Sequence, residues 1–410
     1  MEDVKLSADC LQAQLVKTAR KKRAFPCFKK CSSHQVIMIA RTMQVVLLTT
    51  LLSITVSVNA DPHGNVAAGQ IMVCYYSSTS YFPVSQVPAD LCTHIIFAFG
   101  KIAVEGIQPL APGDVDKYKA LVQLKKTNPN LKILLSLQTG FPKVVGADNT
   151  TVTRFSQSAV KFLAGVGFDG VDLDWEFPEA SDKDNYKTFI EILRKEIVGA
   201  KLLLSAALPN NPTRYAGYDI QCLASNMDFM TAMAYDFHSF TKKGDNTTGY
   251  NSPLYTPKGE RSFLSSSALV TYCLKMGIPP SKLLLGIPLY GHSWTLASPS
   301  QHSLHSPAVG KGGPSPYHHN TRGYYFYPDV CVALQNGATN VRDDTNGATY
   351  LFANTTWVPY DDVYTIKLKL AWMKLANIGG VGVWAMHLDD NTGVCKTGLF
   401  PLLNAIKSLL

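Results

Sequence analysis

Eight short apolar runs recur along this chain, and they limit its fold more than any other feature. They occupy residues 71–77, 93–100, 132–138, 168–178, 201–209, 227–236, 282–291 and 380–389. Helix-compatible segments at 114–128, 151–165, 182–198, 263–276 and 365–377 separate most of them, and another at 401–410 closes the chain. The segment 182–198 is the most periodic, with Tyr186, Phe189, Ile190, Leu193 and Ile197 on one stripe. Short runs with little polar interruption suit strands covered on both faces, as in parallel sheets. Eight such strands alternating with helices predict an α/β fold, a (β/α)8 TIM barrel. The same pattern also admits an open doubly wound sheet.

The fourth run carries the chemistry. In Phe168-Asp169-Gly170-Val171-Asp172-Leu173-Asp174-Trp175-Glu176-Phe177-Pro178, three acids alternate with Val171, Leu173 and Trp175. Alternation is the strand period, so Asp172, Asp174 and Glu176 share one face and the apolar residues the other. Neighbouring acids on that face start roughly 6–7 Å apart. Like charges so close on an apolar strand raise the pKa of at least one of them. A raised carboxyl pKa is what a general acid needs near neutral pH. Asp169 opens the strand, where bonding to neighbouring backbone is its expected role. Polar residues also gather at the ends of the other runs: Gln138, Tyr235, Asp236, Tyr290, Trp384 and Asp389. In a barrel, that is the catalytic rim.

One interval breaks the rhythm. About seventy residues, 293–362, separate the seventh run from its helix, too many for a structureless loop in a compact domain. Residues 324–327 and 348–358 read as strands and 329–335 as a short helix, predicting an α+β insertion subdomain on the rim. Its front part, 298–321, reads as an irregular loop. There, His302, His305, His318 and His319 are expected to be solvated and not to bind metal.

The formal charge of +8 is concentrated near the start. The first sixty residues hold nine Lys/Arg and three acids, which leaves +2 for the remaining 350. That bias is too weak to imply nucleic acid binding. The apolar run 45–58 is shorter than the ~20 residues a spanning helix needs, and it ends Ser57-Val58-Asn59-Ala60. Residues 43–60 read as a secretory signal cleaved after Ala60, with Met43 an alternative start and a signal anchor the competing reading. The expected division is therefore 1–60 as basic extension and signal, 61–410 as barrel, and 293–362 as its insertion. No stable membrane association, no cofactor and no metal are expected, and a monomer is. Downstream of the signal lie six cysteines, Cys74, Cys92, Cys222, Cys273, Cys331 and Cys395. Spacing alone leaves their pairing open. Asn149, Asn246 and Asn354 each begin an Asn-Thr-Thr sequon, in keeping with export.

Asp169-x-x-Asp172-x-Asp174-x-Glu176, followed by Phe177 and Pro178, resembles the signature of family 18 glycoside hydrolases, the chitinases and chitinase-like lectins. Other segments resemble the same family in the same order: Cys74-Tyr75-Tyr76, Leu91-Cys92-Thr93-His94, Met233-Ala234-Tyr235-Asp236, Asn251-Ser252-Pro253-Leu254-Tyr255, Gly286-Ile287-Pro288-Leu289-Tyr290-Gly291 and Val383-Trp384-Ala385-Met386. The resemblance implies disulfides Cys74–Cys92 and Cys331–Cys395 and leaves Cys222 and Cys273 as buried thiols. It implies a secreted, endo-acting enzyme on β-1,4-linked N-acetylglucosamine, chitin or chitooligosaccharides, working by substrate-assisted retention. Glu176 would be the general acid, Asp174 would hold the acetamido N–H, and Asp172 would be coupled to Asp174. Tyr235 would fix the acetamido carbonyl, and Trp384 would floor the reacting sugar. Asp236, Tyr290 and Tyr75 would contact substrate. The alternative implied function is a lectin that binds such oligosaccharides without cleaving them.

Three departures from the family pattern stand out. The usual Ser-x-Gly-Gly-Trp after the third strand is Ser136-Leu137-Gln138-Thr139-Gly140 here. That puts a polar side chain in the cleft, removes an aromatic and predicts weaker binding of long chains. The usual Tyr-Gly-Arg is Tyr290-Gly291-His292, and residues 239–248 do not align. The chain also ends at Leu410 without a Cys-rich chitin-binding module, so poor grip on crystalline chitin is expected.

Overall fold

The structure, a computed structural model, describes residues 70–241 and 245–410. The basic extension and signal segment lie outside the described residues. In chain order the strands are β1 (Ile71–Ser77), β2 (His94–Ala103), β3 (Gly106–Pro109), β4 (Lys132–Thr139), β5 (Gly170–Leu173), β6 (Leu203–Leu208), β7 (Phe229–Ala232) and β8 (Leu283–Pro288). They continue with β9 (Tyr290–His292), β10 (Trp294–Leu296), β11 (Ala308–Lys311), β12 (Tyr324–Phe326), β13 (Thr339–Asp343), β14 (Ala348–Ala353), β15 (Thr356–Tyr360) and β16 (Gly380–Trp384). The helices are α1 (Asp114–Gln123), α2 (Phe141–Val145), α3 (Asn149–Val166), α4 (Lys183–Gly199), α5 (Ile220–Asn226), α6 (Ser266–Lys275), α7 (Tyr327–Gln335), α8 (Val363–Leu375) and α9 (Pro401–Leu409).

Strands β1, β2, β4, β5, β6, β7, β8 and β16 pair in parallel, and β16 returns to β1. The sheet thus closes into the eight-stranded barrel that the apolar runs predict, and an open sheet is ruled out. Closure leaves no barrel edge unpaired, and the helices cover the outside. Local signals place those helices. Asp148 caps α3 by accepting from Thr151 N at 3.0 Å, and Gly167, with φ 92°, ends it. The α4 stripe Tyr186, Phe189, Ile190, Leu193 and Ile197 is buried as expected.

The insertion follows β9. Strands β11, β10, β15, β14 and β13 form an antiparallel sheet in that order, packed by Tyr250, Trp294, Tyr350 and Trp357. Strand β12 instead pairs with β9 and ties the insertion to the barrel rim. Gly291 in β9 permits the close approach of β15: a Cβ there would lie 1.8 Å from the Pro359 carbonyl oxygen. The Cys74–Cys92 and Cys331–Cys395 disulfides are both formed, and Cys222 and Cys273 are buried thiols.

Several expectations need correction. Residues 348–358 are two strands, because Asn354 takes a left-handed turn (φ 50°) and Phe352 pairs back with Trp357. The stretch 298–321 contains β11, and of its histidines His305 and His319 are exposed as expected while His302 and His318 are partly buried. His302 stacks on Phe352, His305 pairs with Glu260 at 2.8 Å, and His318 pairs with Asp329 at 2.9 Å; His319 is exposed. Among the described residues, no group of three or more His, Cys, Asp or Glu is placed to hold a metal. Short elements (β3, α2 and α5) escape a periodicity reading because they span too few residues to show a period.

Candidate active site

The fourth barrel strand divides as its alternation requires. Val171, Leu173 and Trp175 are buried toward the helices, with the Trp175 ring parallel to Phe141 at 5.1 Å and edge-on to Tyr186 at 5.1 Å. Asp169 lies outside the barrel mouth. Its Oδ2 accepts from Ile133 N at 2.7 Å and meets Lys125 Nζ at 2.5 Å, so its role is structural. The regular ladder stops at Leu173, but Asp174 N still donates to Leu137 O at 2.9 Å. The acids therefore climb from the barrel interior to its rim.

Asp172 is lowest. Its Oδ1 accepts from Ser205 Oγ at 2.6 Å, and its Oδ2 accepts from Ser136 Oγ at 2.8 Å and from Tyr75 OH at 3.2 Å. Three barrel strands converge on it. Burial still raises its pKa, against those three donors. Asp174 sits above it, buried, with no partner for Oδ1. Its pKa is raised well above the carboxylate range by burial, then by the charges of Glu176 and Asp172. The hydrogen bonds of Asp172 all go to hydroxyls, so the coupling between the two aspartates is electrostatic. Glu176 is outermost and exposed at the rim. Its pKa is also raised by the desolvation of its surroundings, against an amide contact from Gln138 Nε2 at 3.5 Å. Being open to water, it feels a weaker desolvation than the two acids beneath it.

The other strand ends close around this column. Tyr235 follows β7, buried, with its carbonyl held by Asn210 Nδ2 at 2.6 Å. Asp236 adopts a left-handed backbone (φ 56°), one that aspartate tolerates. Its N–H donates to Asn251 Oδ1 at 3.0 Å, and Asn251 Nδ2 donates to Tyr290 O at 2.9 Å. That asparagine locks two strand ends together. The Tyr290 hydroxyl donates to Asp236 Oδ1 at 2.6 Å, and His292 Nε2 lies 2.7 Å from the same oxygen. Trp384 ends β16, stacked on Phe99 at 5.6 Å and tilted against Tyr75 at 5.4 Å.

A cavity of about 200 Å³ is lined by Tyr75, Asp174, Glu176, Tyr235, Asp236, Tyr290 and Trp384, with Phe99, Gln138, Ala207 and Met233. Of the sequence-predicted catalytic and substrate-contacting residues, only Asp172 is not in its wall; it supports the floor from below. Two further hollows share walls with this one, the first through Asp236, Tyr290 and Trp384 and the second through Glu176, Met233, Tyr235 and Asp236. Together they form one connected cleft. Asn149, Asn246 and Asn354 are exposed and lie apart from it.

Sequence reading missed Phe99, Met233, Asn210, Arg214 and Tyr324. Phe99 was hidden in an apolar run. Tyr324 reaches the cleft only because β12 pairs with β9. Nothing local marked Arg214. Conversely, Asp389 is no rim residue. It is buried, accepts from Asp390 N at 2.8 Å and Leu403 N at 2.9 Å, and anchors α9; burial pushes its pKa up to about 7.

This geometry has counterparts. Residues 71–389 match the model for glycosyl hydrolases family 18. Chitotriosidase-1 of Mus musculus is 37% identical over 369 residues, covering 83% of this chain and 78% of the mouse protein. Chitinase-3-like protein 2 of Homo sapiens is 31% identical over 364 residues, covering 83% of this chain and 92% of the human one. Among solved structures, an immunomodulatory active chitinase from Trichuris suis has a TM-score of 0.78 at 32% identity, covering 83% of this chain and 99% of its own. Human YKL-39, a pseudo-chitinase with retained chitooligosaccharide binding properties, has a TM-score of 0.79 at 30% identity, with the same coverage. With a match that spans the whole barrel and its acidic strand, this chain belongs to glycosyl hydrolase family 18, the chitinases and chitinase-like proteins.

Proposed function

We propose that this protein hydrolyses β-1,4-linked N-acetylglucosamine oligomers or polymers, endo-acting and with retention. One observation carries the reading: a rim carboxyl, Glu176, stands over a buried carboxyl, Asp174, whose Oδ1 has no protein partner, in a cavity floored by Trp384. An orphaned buried acceptor is costly unless something else satisfies it. An acetamido N–H would do so. The sugar's apolar face would rest on the indole, with Tyr235 directing the acetamido carbonyl oxygen at the anomeric carbon.

In the first step Glu176 gives its proton to the glycosidic oxygen as that carbonyl oxygen attacks, forming a cyclic oxazolinium ion. Asp174, with Asp172 beneath it, offsets the developing positive charge. In the second step Glu176, now a carboxylate, takes a proton from water as the water opens the ring, which restores the starting configuration. The exposed sequons, the disulfides and the signal segment support a secreted, glycosylated protein. Among the described residues no helix is long and apolar enough to cross a membrane.

A binding-only role is the second reading. The amide of Gln138 beside the acid and the likeness to a pseudo-chitinase both favour it. Turnover of a chromogenic chitobioside decides. Glu176→Gln should lower kcat by about 10²–10⁴-fold while chitooligosaccharide binding persists. Equal turnover by variant and parent removes the acid assignment. Tight binding by a parent with no turnover makes the protein a lectin.

A further inference from the structure

We propose that Arg214 makes the leaving side of the cleft a cationic subsite, which selects a sugar carrying an oxyanion, either a carboxylate or a sulfate. This rests on the reading that the cleft takes N-acetylglucosamine oligomers.

The location follows from shared walls. Asp174 and Trp384 both line the central cavity, so the reacting sugar sits there. A hollow of about 230 Å³ shares Glu176 and Tyr235 with that cavity but contains neither Asp174 nor Trp384. It therefore lies across the acid from the reacting sugar, where the protonated leaving group must depart. Arg214, Asn210 and Thr241 give it a polar wall.

Arg214 is held there in a particular way. Its guanidinium carbon lies 4.0 Å above the Phe177 ring. A guanidinium centred over a ring keeps N–H donors available to an anion. No carboxylate among the described residues lies within the 4.0 Å ion-pair distance of it. Two acids line the same hollow: Glu176, which must be protonated to act, and Asp236, whose Oδ1 accepts from the Tyr290 hydroxyl and lies 2.7 Å from His292 Nε2. The positive charge is felt at the acid, where it draws the Glu176 pKa down against burial. An anion bound on Arg214 would cancel that pull, so the matching substrate would also keep the acid protonated. Arginine's planar fork fits carboxylate and sulfate oxygens in pairs, an arrangement a hydroxyl cannot reproduce.

The test compares three N-acetylglucosamine oligomers, with a neutral, a 6-O-sulfated or a glucuronate leaving sugar. kcat/KM is measured for the parent, Arg214→Gln and Arg214→Lys, and affinity is measured by calorimetry in Glu176→Gln with and without Arg214→Gln. The parent should favour at least one anionic substrate over the neutral one by roughly tenfold or more, less so at high salt. Which arm gains identifies the group. Arg214→Gln should bring that ratio to about one, with Arg214→Lys between, since lysine keeps the charge and loses the fork. A parent that cleaves all three equally, or a preference that survives Arg214→Gln, overturns the proposal and leaves the hydrolase reading intact. If nothing is cleaved but Glu176→Gln binds the anionic oligomer more tightly in an Arg214-dependent way, the hydrolase reading falls and this one stands. Equal affinities there overturn it as well.

Discussion

Gln138 Nε2 lies 3.5 Å from Glu176 Oε1, which places an uncharged donor beside the carboxyl that has to give up a proton. A donated hydrogen bond favours the carboxylate, so Gln138 opposes the burial that raises the Glu176 pKa. Gln138→Gly removes the donor. The acid then holds its proton to higher pH, and the alkaline limb of kcat/KM should move up, by a few tenths of a unit to about one unit for so long a contact. A pH–rate profile measures this; a limb that stays put or moves down rejects the role.

Asp174 should trade stability for activity. It is buried, has an orphaned Oδ1 and is crowded by the charges of Asp172 and Glu176. Asp174→Asn keeps the shape and removes the charge. Loss of roughly 10²–10³-fold in kcat is expected, with a melting temperature equal to or above the parent's. A variant that melts well below the parent would show the carboxylate to be structural.

The loop that departs from the family pattern is clasped by charge. His238 Nδ1 lies 3.2 Å from Asp245 Oδ2, and His238 Nε2 lies 3.2 Å from Glu260 Oε2. Glu260 Oε1 also meets His305 of the insertion at 2.8 Å. Burial works against the His238 charge, but Asp245 and Glu260 outweigh it and hold the pKa at about 9 against an ordinary 6.5. Because Nε2 and Oε2 are close without directed hydrogen-bond geometry, the contribution should be about 1–2 kcal/mol. It is present in full below pH 6.5 and disappears as pH rises through about 9. Urea unfolding across that window should show the loss, and His238→Gln should flatten it. An unchanged slope in the variant would assign the pH dependence elsewhere.

Asp389 loses its contribution in the same direction as His238, with rising pH, but over a lower window. Its folded pKa is raised from 3.8 to about 7 by burial, despite backbone donors from Leu403, Asp390 and Leu402. The stability it favours is therefore complete below pH 3.8 and is lost as pH climbs through 7. Asp389→Asn keeps an acceptor for Leu403 N and should unfold at higher urea than the parent above pH 7. Asp389→Ala leaves that N–H without its acceptor and should cost about 1–2 kcal/mol. Denaturation curves of both at pH 8 would check this; an Asn variant no better than Ala would refute the buried-charge account.

Much of this protein was legible in one dimension. Eight buried strands need eight apolar runs, and an acidic face needs an alternation, so the strands and the column Asp172–Asp174–Glu176 follow from period and hydrophobicity, whereas their closure into a barrel and not an open sheet is decided by the pairing of β16 with β1. Gln138, Glu176, Tyr235, Asp236, Tyr290 and Trp384, predicted at strand ends, share the rim because parallel strands all end on the same side. Period says nothing about partners far apart in the chain. Phe99 under Trp384, Tyr324 carried to the cleft by β12, and Arg214 laid over Phe177 depend on which segments meet when the barrel closes. Asp389 had the right address for the rim, yet its carboxylate turned to the amides of α9. Local patterning fixes which way a side chain faces, whereas only the closed barrel decides what it faces.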